Sequence, residues 1–378
     1  MAIAFALILG SFIPLILQAS EPGSLSVRVA VVRNASTLEQ TLQALCQHEY
    51  QVTIRVIKNN QGRYEAINIL DVEDFLLGVI GREMDPRAPL EALKAQAIAA
   101  RSHALYQANI SDNQPYDLIA NLSQAYAGKT KLHKNVVIAI EATRGQLLYY
   151  ANKPLPAYFH ESCGGHTETI TDIWAPMTAG KSGSKLTSPG SARCPACSQS
   201  TEKKWRFELP VATLQRALKQ AGFQVGATPS IAILEKTSSS RALKVAIRSE
   251  TGEILLSAEK LRSLLGYSKL RSAMFDVQRV TSPDGTSVEG KTSPASGGQA
   301  LGKVDDRLIF QGDGYGHGVG LCQFGARQMA EKGASCDTIL AHYFPNCRVR
   351  PCALETLAST QPGEKLETGN FCALNFRP

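Results

Sequence analysis

The stretch Leu70–Leu105, LDVEDFLLGVIGREMDPRAPLEALKAQAIAARSHAL, decides how this chain is read. From Leu90 to Gln107 the residues are mostly Ala, Leu, Lys and Gln, all strong helix formers. Pro86 and Pro89 stand where such a helix would start, because a first turn neither needs proline's missing N–H nor strains its fixed φ. Leu90, Leu93, Ala97 and Ala104 share one face at helical spacing, and the alanines let neighbouring backbone approach closely, so a buried helix is expected. Just before it, Glu83 sits among Val79, Ile80 and Met84. A carboxyl in apolar company can be desolvated and held protonated as a general acid, whereas Arg82 and the nearby helix N-terminus favour its charged form. An acidic residue in an ordinary turn is the plainer alternative from these residues alone.

Outward from this stretch the texture is mixed. Ser24–Arg33 alternates Leu25, Val27, Val29 and Val31 on one side, a strand period, and Gln51–Ile57 repeats it ahead of a turn at Asn59–Gly62. Short strands are expected at Ala66–Leu70, Gln146–Tyr150, Pro156–His160 and Leu243–Ser249, with helices at Ser257–Leu265, Leu321–Lys332 and Cys336–Tyr343. Thr178–Ser191 reads as a Gly/Ser-rich loop and Thr281–Lys303 as an aperiodic Ser/Gly/Thr/Pro-rich surface insertion. The fold class expected is α+β, mixed short strands and helices around a cleft. One large domain spans 24–351, with an insertion at 281–303 and a tail at 352–378.

Composition narrows the function classes. Of 378 residues 44% are hydrophobic and 19% charged, which excludes wholesale disorder and a multi-span membrane protein. A balance of +7 suits an acidic partner such as a wall polymer, but no basic run interleaves with aromatics, so a nucleic-acid partner is not expected. Residues 1–19, MAIAFALILGSFIPLILQA, carry no charge, and Arg28 is the first basic residue. A signal peptide or membrane anchor is expected over 1–20, and with it export to the periplasmic or cell-wall side, the membrane being met only through this segment.

Two further constellations carry chemistry. His160-Glu-Ser-Cys163-Gly-Gly-His166 followed by Cys194-Pro-Ala-Cys197 has the pairing of a four-ligand zinc knot. Cys163, Cys194 and Cys197 would form its core, with His160 or His166 supplying the nitrogen. His160 is the one assigned. Four protein ligands leave no open position, so Zn2+ is expected in a structural role, with a disulfide as the alternative in an exported protein. The total of nine cysteines is odd, so at least one thiol is free, metal-bound or paired with another chain. In Gly312-Asp-Gly-Tyr-Gly-His-Gly-Val-Gly320 every second residue is glycine. Extended, the segment would present Asp313, Tyr315, His317 and Val319 on one face and bare backbone on the other, open to close approach. It lacks the arrangement of a dinucleotide or phosphate loop.

Taken in order, three blocks resemble the SpoIID/LytB domain family. They are Leu70–Leu105, with Glu-Met ahead of A-P-L-E-A-L-K-A-Q-A-I-A-A-R; Ala157–Trp174, AYFHESCGGHTETITDIW; and Gly314–Pro345, with G-Y-G-H-G-V-G, then Q-F-G-A, then I-L-A-H-Y-F-P. This chain departs from the family pattern at His103, at Cys322 and in the 281–303 insertion. The resemblance implies a peptidoglycan lytic transglycosylase with Glu83 as the catalytic acid. It would act on glycan strands stripped of stem peptides, downstream of a cell-wall amidase, in sporulation or division. Lys94, Gln96 and Arg101 on the helix, with Tyr315, His317 and Gln323, are candidates for holding sugar and acetamido groups, against helix-face packing and salt links as the alternative. Two other functions stay open: a non-catalytic, wall-binding amidase enhancer, and a zinc-dependent peptidoglycan amidase.

Overall fold

The computed structural model describes residues 25–50, 53–111, 114–121, 124–128, 132–178, 189–280 and 306–352. The expected leader (1–20), most of the 178–191 loop, the 281–303 insertion and the tail beyond 352 lie outside the described residues. Among the described residues no helix is long and apolar enough to cross a membrane.

The architecture is α+β, as expected. A four-stranded sheet runs in the order Thr53–Lys58, Tyr64–Asp71, Ser26–Ala35, Leu118–Ile119. Its first hairpin closes where Asn59 Oδ1 accepts from the amides of Gln61 and Arg63, both at 3.0 Å, a side chain standing in for a turn's backbone. The alternation read in the first strand turns Val27 and Val29 into the core. Asp71 ends that sheet and caps the helix Val72–Glu83, its side chain accepting from Glu73 N at 2.8 Å. The alanine-rich helix Leu90–Ile110 follows Pro89 and runs through the middle of this core. Its small side chains admit four other helices (Val72–Glu83, Lys134–Ala142, Gln323–Glu331, Cys336–Tyr343) and the strand Gln146–Tyr150.

The stretch read as one domain over 24–351 carries two large hydrophobic cores. The second is built by two three-stranded sheets, Gly252–Ser257/Ala242–Ser249/Ser230–Lys236 and Phe275–Val280/Arg307–Asp313/Lys204–Pro210. The helices Val211–Gln220 and Ala258–Leu265 pack with them, burying Leu214, Leu218, Val245, Ile247, Leu261 and Phe310.

Three local expectations are corrected. The strand expected at 156–160 is only Phe159–His160, which pairs in parallel with Leu321–Cys322. That pairing delays the helix expected from Leu321, which starts at Gln323. The alternating glycines do not form an extended strand either, because Gly314, Gly316, Gly318 and Gly320 all take positive φ, 75–110°. The close approach read from them is real, however. A Cβ on Gly316 would lie 2.7 Å from the Cβ of His160, and one on Gly320 would strike the carbonyl of Tyr158.

Candidate functional site

Glu83 is the last residue of its helix and is 4% exposed. Among the described residues, donors from distant parts of the chain meet its carboxyl. The amide of Ala125 donates to Oε1 at 2.5 Å, and Gln323 Nε2 approaches Oε2 at 3.5 Å. Gln323 opens the helix Gln323–Glu331, so the third sequence block delivers a side chain onto the acid of the first. The Ala125 amide carries no mark in the sequence, since a backbone donor is independent of residue type. Asp85, the second carboxyl nearby in sequence, is engaged by Arg87. It accepts from Arg87 Nε and Nη2 at 3.1 and 3.0 Å and from the Arg87 amide at 2.9 Å, and these bonds hold its carboxyl down at about 2.

The structure separates the other candidates. Arg101 is fully buried and makes a bidentate pair with Glu73, at 2.8 and 2.7 Å, so it is part of the core and cannot reach a sugar. His317 is likewise structural. Its Nδ1 accepts from Val319 N and its Nε2 donates to the Phe159 carbonyl, both at 3.0 Å, so both ring nitrogens are used within the protein. Burial pushes the imidazolium form of His317 well down, leaving the ring neutral. Lys94 is held 2.8 Å from Glu91 on the same helix, and the other oxygen of Glu91 accepts from the Cys336 amide, so Glu91 fastens two helices. Tyr315 is half-buried, with the Arg271 guanidinium 5.8 Å from its ring centre. Gln96 is fully buried, and neither atom of its amide has a protein partner among the described residues.

The expected zinc residues are partly brought together. Cys163, Cys194 and Cys197 converge, but the fourth corner is Cys322 and not His160. The four sulfurs lie within 4.8 Å of one another, and all four residues are buried. His160 packs beside the group with its ring centre 5.4 Å from that of His317. Its Nδ1 donates to the Val319 carbonyl at 3.1 Å, while Nε2 has no protein partner among the described residues. His166, the other candidate, is tied through Nδ1 to the carbonyl of Thr167 at 2.7 Å.

Arg241, which no sequence pattern singles out, joins the two cores. It follows the strand Ser230–Lys236 in the second core, yet its buried guanidinium donates to the carbonyls of Cys163 and His166, at 2.5 and 2.9 Å, and lies 3.6 Å from the buried carboxylate of Glu168. Beside it a cavity of about 1120 Å³ opens between the cores, lined by His166, Arg193, Lys204, Trp205, Lys236 and Asp313 among others. Neither Glu83 nor Gln323 lines this cavity, so volume alone would point away from the acid.

Comparison with known proteins bears on this geometry. Residues 60–150, which include Glu83, Gln96 and Arg101, match the family described as SpoIID, stage II sporulation protein. Residues 197–320, the second core, match a domain described only as of unknown function. An uncharacterized protein of Brachyspira hyodysenteriae is 31% identical over 283 residues, covering 74% of this chain and 66% of that protein. Stage II sporulation protein D of Bacillus amyloliquefaciens is 26% identical over 86% of this chain and 84% of its own length. The amidase enhancer of Bacillus subtilis is 26% identical over 71% of this chain, which spans only 39% of that protein. Residues 60–150 of the chain carry the domain of the SpoIID, stage II sporulation protein, family.

Proposed function

We propose that the protein is a peptidoglycan lytic transglycosylase that cleaves the bond between N-acetylmuramic acid and N-acetylglucosamine, with Glu83 as acid and then base. The SpoIID domain supports a cell-wall role. The observation that carries the finer reading is the buried carboxyl of Glu83, met by donors from distant segments, while Asp85, its neighbour in sequence, is engaged by Arg87. A hydrolase with two working carboxylates would need a second acid beside the first. One carboxyl suffices when the substrate supplies its own nucleophile. Protonated Glu83 gives its proton to the bridging oxygen as the C1–O bond breaks through an oxocarbenium-like transition state. The Glu83 carboxylate then takes the proton of the muramyl C6 hydroxyl as that oxygen attacks C1, which leaves a 1,6-anhydro end and consumes no water.

In this role the Ala125 amide and Gln323 aim the carboxyl and stabilise it in the charged interval. Tyr315 stays as a candidate for substrate contact, while the buried Gln96, Arg101 and His317 act through packing. The substrate is glycan strands stripped of stem peptides, supplied by an amidase, on the wall side of the membrane. A catalytic zinc amidase is disfavoured, since four converging thiols leave no open ligand position. The relative named as an amidase enhancer favours one alternative, a non-catalytic partner of an amidase.

Mass spectrometry of denuded glycan strands tests this. Wild type and Asp85→Asn should release anhydromuramyl ends, and Glu83→Gln should slow release by about 10²–10⁴-fold. Release by Glu83→Gln at the wild-type rate overturns the role of Glu83. No release by the wild type, together with faster turnover by an added amidase, establishes the enhancer instead.

A further inference from the structure

We propose that Cys163, Cys194, Cys197 and Cys322 hold one zinc ion as a closed four-thiolate centre, and that its Cys322 corner sets Gln323 against Glu83. The ligand half stands on the cysteines alone. The positioning half rests on Glu83 being the acid.

The four sulfurs are arranged for a metal. Cys197 and Cys322 are 3.4 Å apart at sulfur, well beyond the ~2.05 Å of a disulfide. That separation is near the edge, about 3.8 Å, of a tetrahedron with Zn–S arms of 2.3 Å. The surroundings are those of thiolates. Cys322 Sγ accepts from the amides of Cys163 and Gly325 at 3.3 and 3.4 Å, and Cys163 Sγ from the amide of Gly165 at 3.4 Å. The hydroxyls of Ser162 and Tyr343 lie 3.3 Å from the sulfurs of Cys197 and Cys194. Four thiolates on one divalent ion leave a charge of −2. The buried Arg241, bound to the carbonyl of Cys163, supplies a compensating cation, and the N-terminus of the helix Gln323–Glu331 points its amides at the same place.

Gly325 shows how closely that helix is drawn in. A Cβ there would lie 2.5 Å from Cys194 Sγ and would also strike the Tyr343 hydroxyl. Cys322 is both a corner of the centre and the N-cap of the helix, and Gln323 is the next residue. One peptide bond therefore joins the fourth ligand residue to the residue whose side chain lies on Glu83. His160 is the rival fourth ligand, because its Nε2 carries a lone pair with no protein partner among the described residues. Its ring hangs on the carbonyl of Val319, outside the group of four.

Four measurements on the full chain, purified under reducing conditions, decide the matter, and none uses activity. Metal analysis should find one zinc per chain. X-ray absorption should show four sulfurs at about 2.3 Å with no nitrogen at about 2.0 Å. Cys322→Ser should weaken zinc binding at least tenfold, and His160→Gln should leave it unchanged. Iron in place of zinc, disulfides among the four cysteines, or a nitrogen shell lost in His160→Gln each overturns the ligand half. For the positioning half, a chelator should speed amide exchange at least tenfold over 322–331 while leaving the strand Ala242–Ser249 unchanged. Equal exchange over 322–331 with and without metal overturns it, whatever the glycan assay shows. The chelator experiment needs no variant, so misfolding of Cys322→Ser leaves it decisive.

Discussion

Replacing Arg101 with methionine should unfold this protein more readily while leaving its affinity for glycan intact. Arg101 is fully buried, and its Nε and Nη2 each donate to one oxygen of Glu73, which is itself almost wholly buried. The same carboxylate accepts from the amide of Gly145 at 3.1 Å, and Arg101 Nη1 donates to the carbonyl of Gln146 at 3.2 Å. Methionine fills most of the volume but strands the Glu73 carboxylate without its counter-charge, a change that costs about 3–5 kcal/mol when a buried pair is broken. That is a fifth or more of the roughly 5–15 kcal/mol that holds a typical domain folded. Urea unfolding followed by far-UV circular dichroism measures the loss. The double variant Arg101→Met with Glu73→Leu should recover most of it, because removing both charges removes the uncompensated one. A structural role for Arg101 is refuted if Arg101→Met loses less than about 1 kcal/mol while KM for denuded strands rises. Arg101 would then face the substrate.

Two further outcomes follow from buried charges. His103 is buried against Tyr158 and Phe159, and burial depresses its pKa from 6.5 to about 4. The unfolded chain takes up this proton first, so the stability His103 contributes is present above pH 6.5 and lost as pH falls toward about 4, up to roughly 3 kcal/mol. His160 and His317 act in the same direction, their pKa values also lowered by burial. Urea midpoints measured across that window should fall with pH in the wild type and fall less in His103→Phe, and equal slopes would contradict the assignment. Arg241→Met should cost about 3–5 kcal/mol by leaving Glu168 buried without its cation. Melting of Arg241→Met alongside the wild type, within about 1 °C, would contradict that.

Much of the first core was legible because its signals are local. The helix from Leu90 to Ile110 announces itself through Pro89 and a run of alanines, and Glu83 through its apolar neighbours and the family blocks. The roles along that helix were less so. Periodicity places Arg101 and Lys94 on a helix but does not say which partner, Glu73 or Glu91, occupies each. Spacing favoured His160 as the fourth corner of the cysteine group because it lies close to Cys163 in sequence. Cys322 arrives from far along the chain through the two-residue pairing of Leu321–Cys322 with Phe159–His160, and no spacing rule reaches across that distance. The glycine alternation told of close contact correctly. It misled about conformation, since a period of two is shared by a strand and by glycines each taking positive φ.

Arg241 also limits how this protein can be taken apart. Cutting out 204–313 and bridging the gap would look reasonable from the two cores, each with its own hydrophobic interior. The excision would also remove the guanidinium that sits on the carbonyls of Cys163 and His166, together with Thr237 and Ser239, whose hydroxyls reach Glu168. The block carrying His160 to Glu168 would then lose the partners and the cover that hold it in place. The second core is therefore a clasp and not a detachable module, and grafts or truncations that treat it as a passenger should yield insoluble chains.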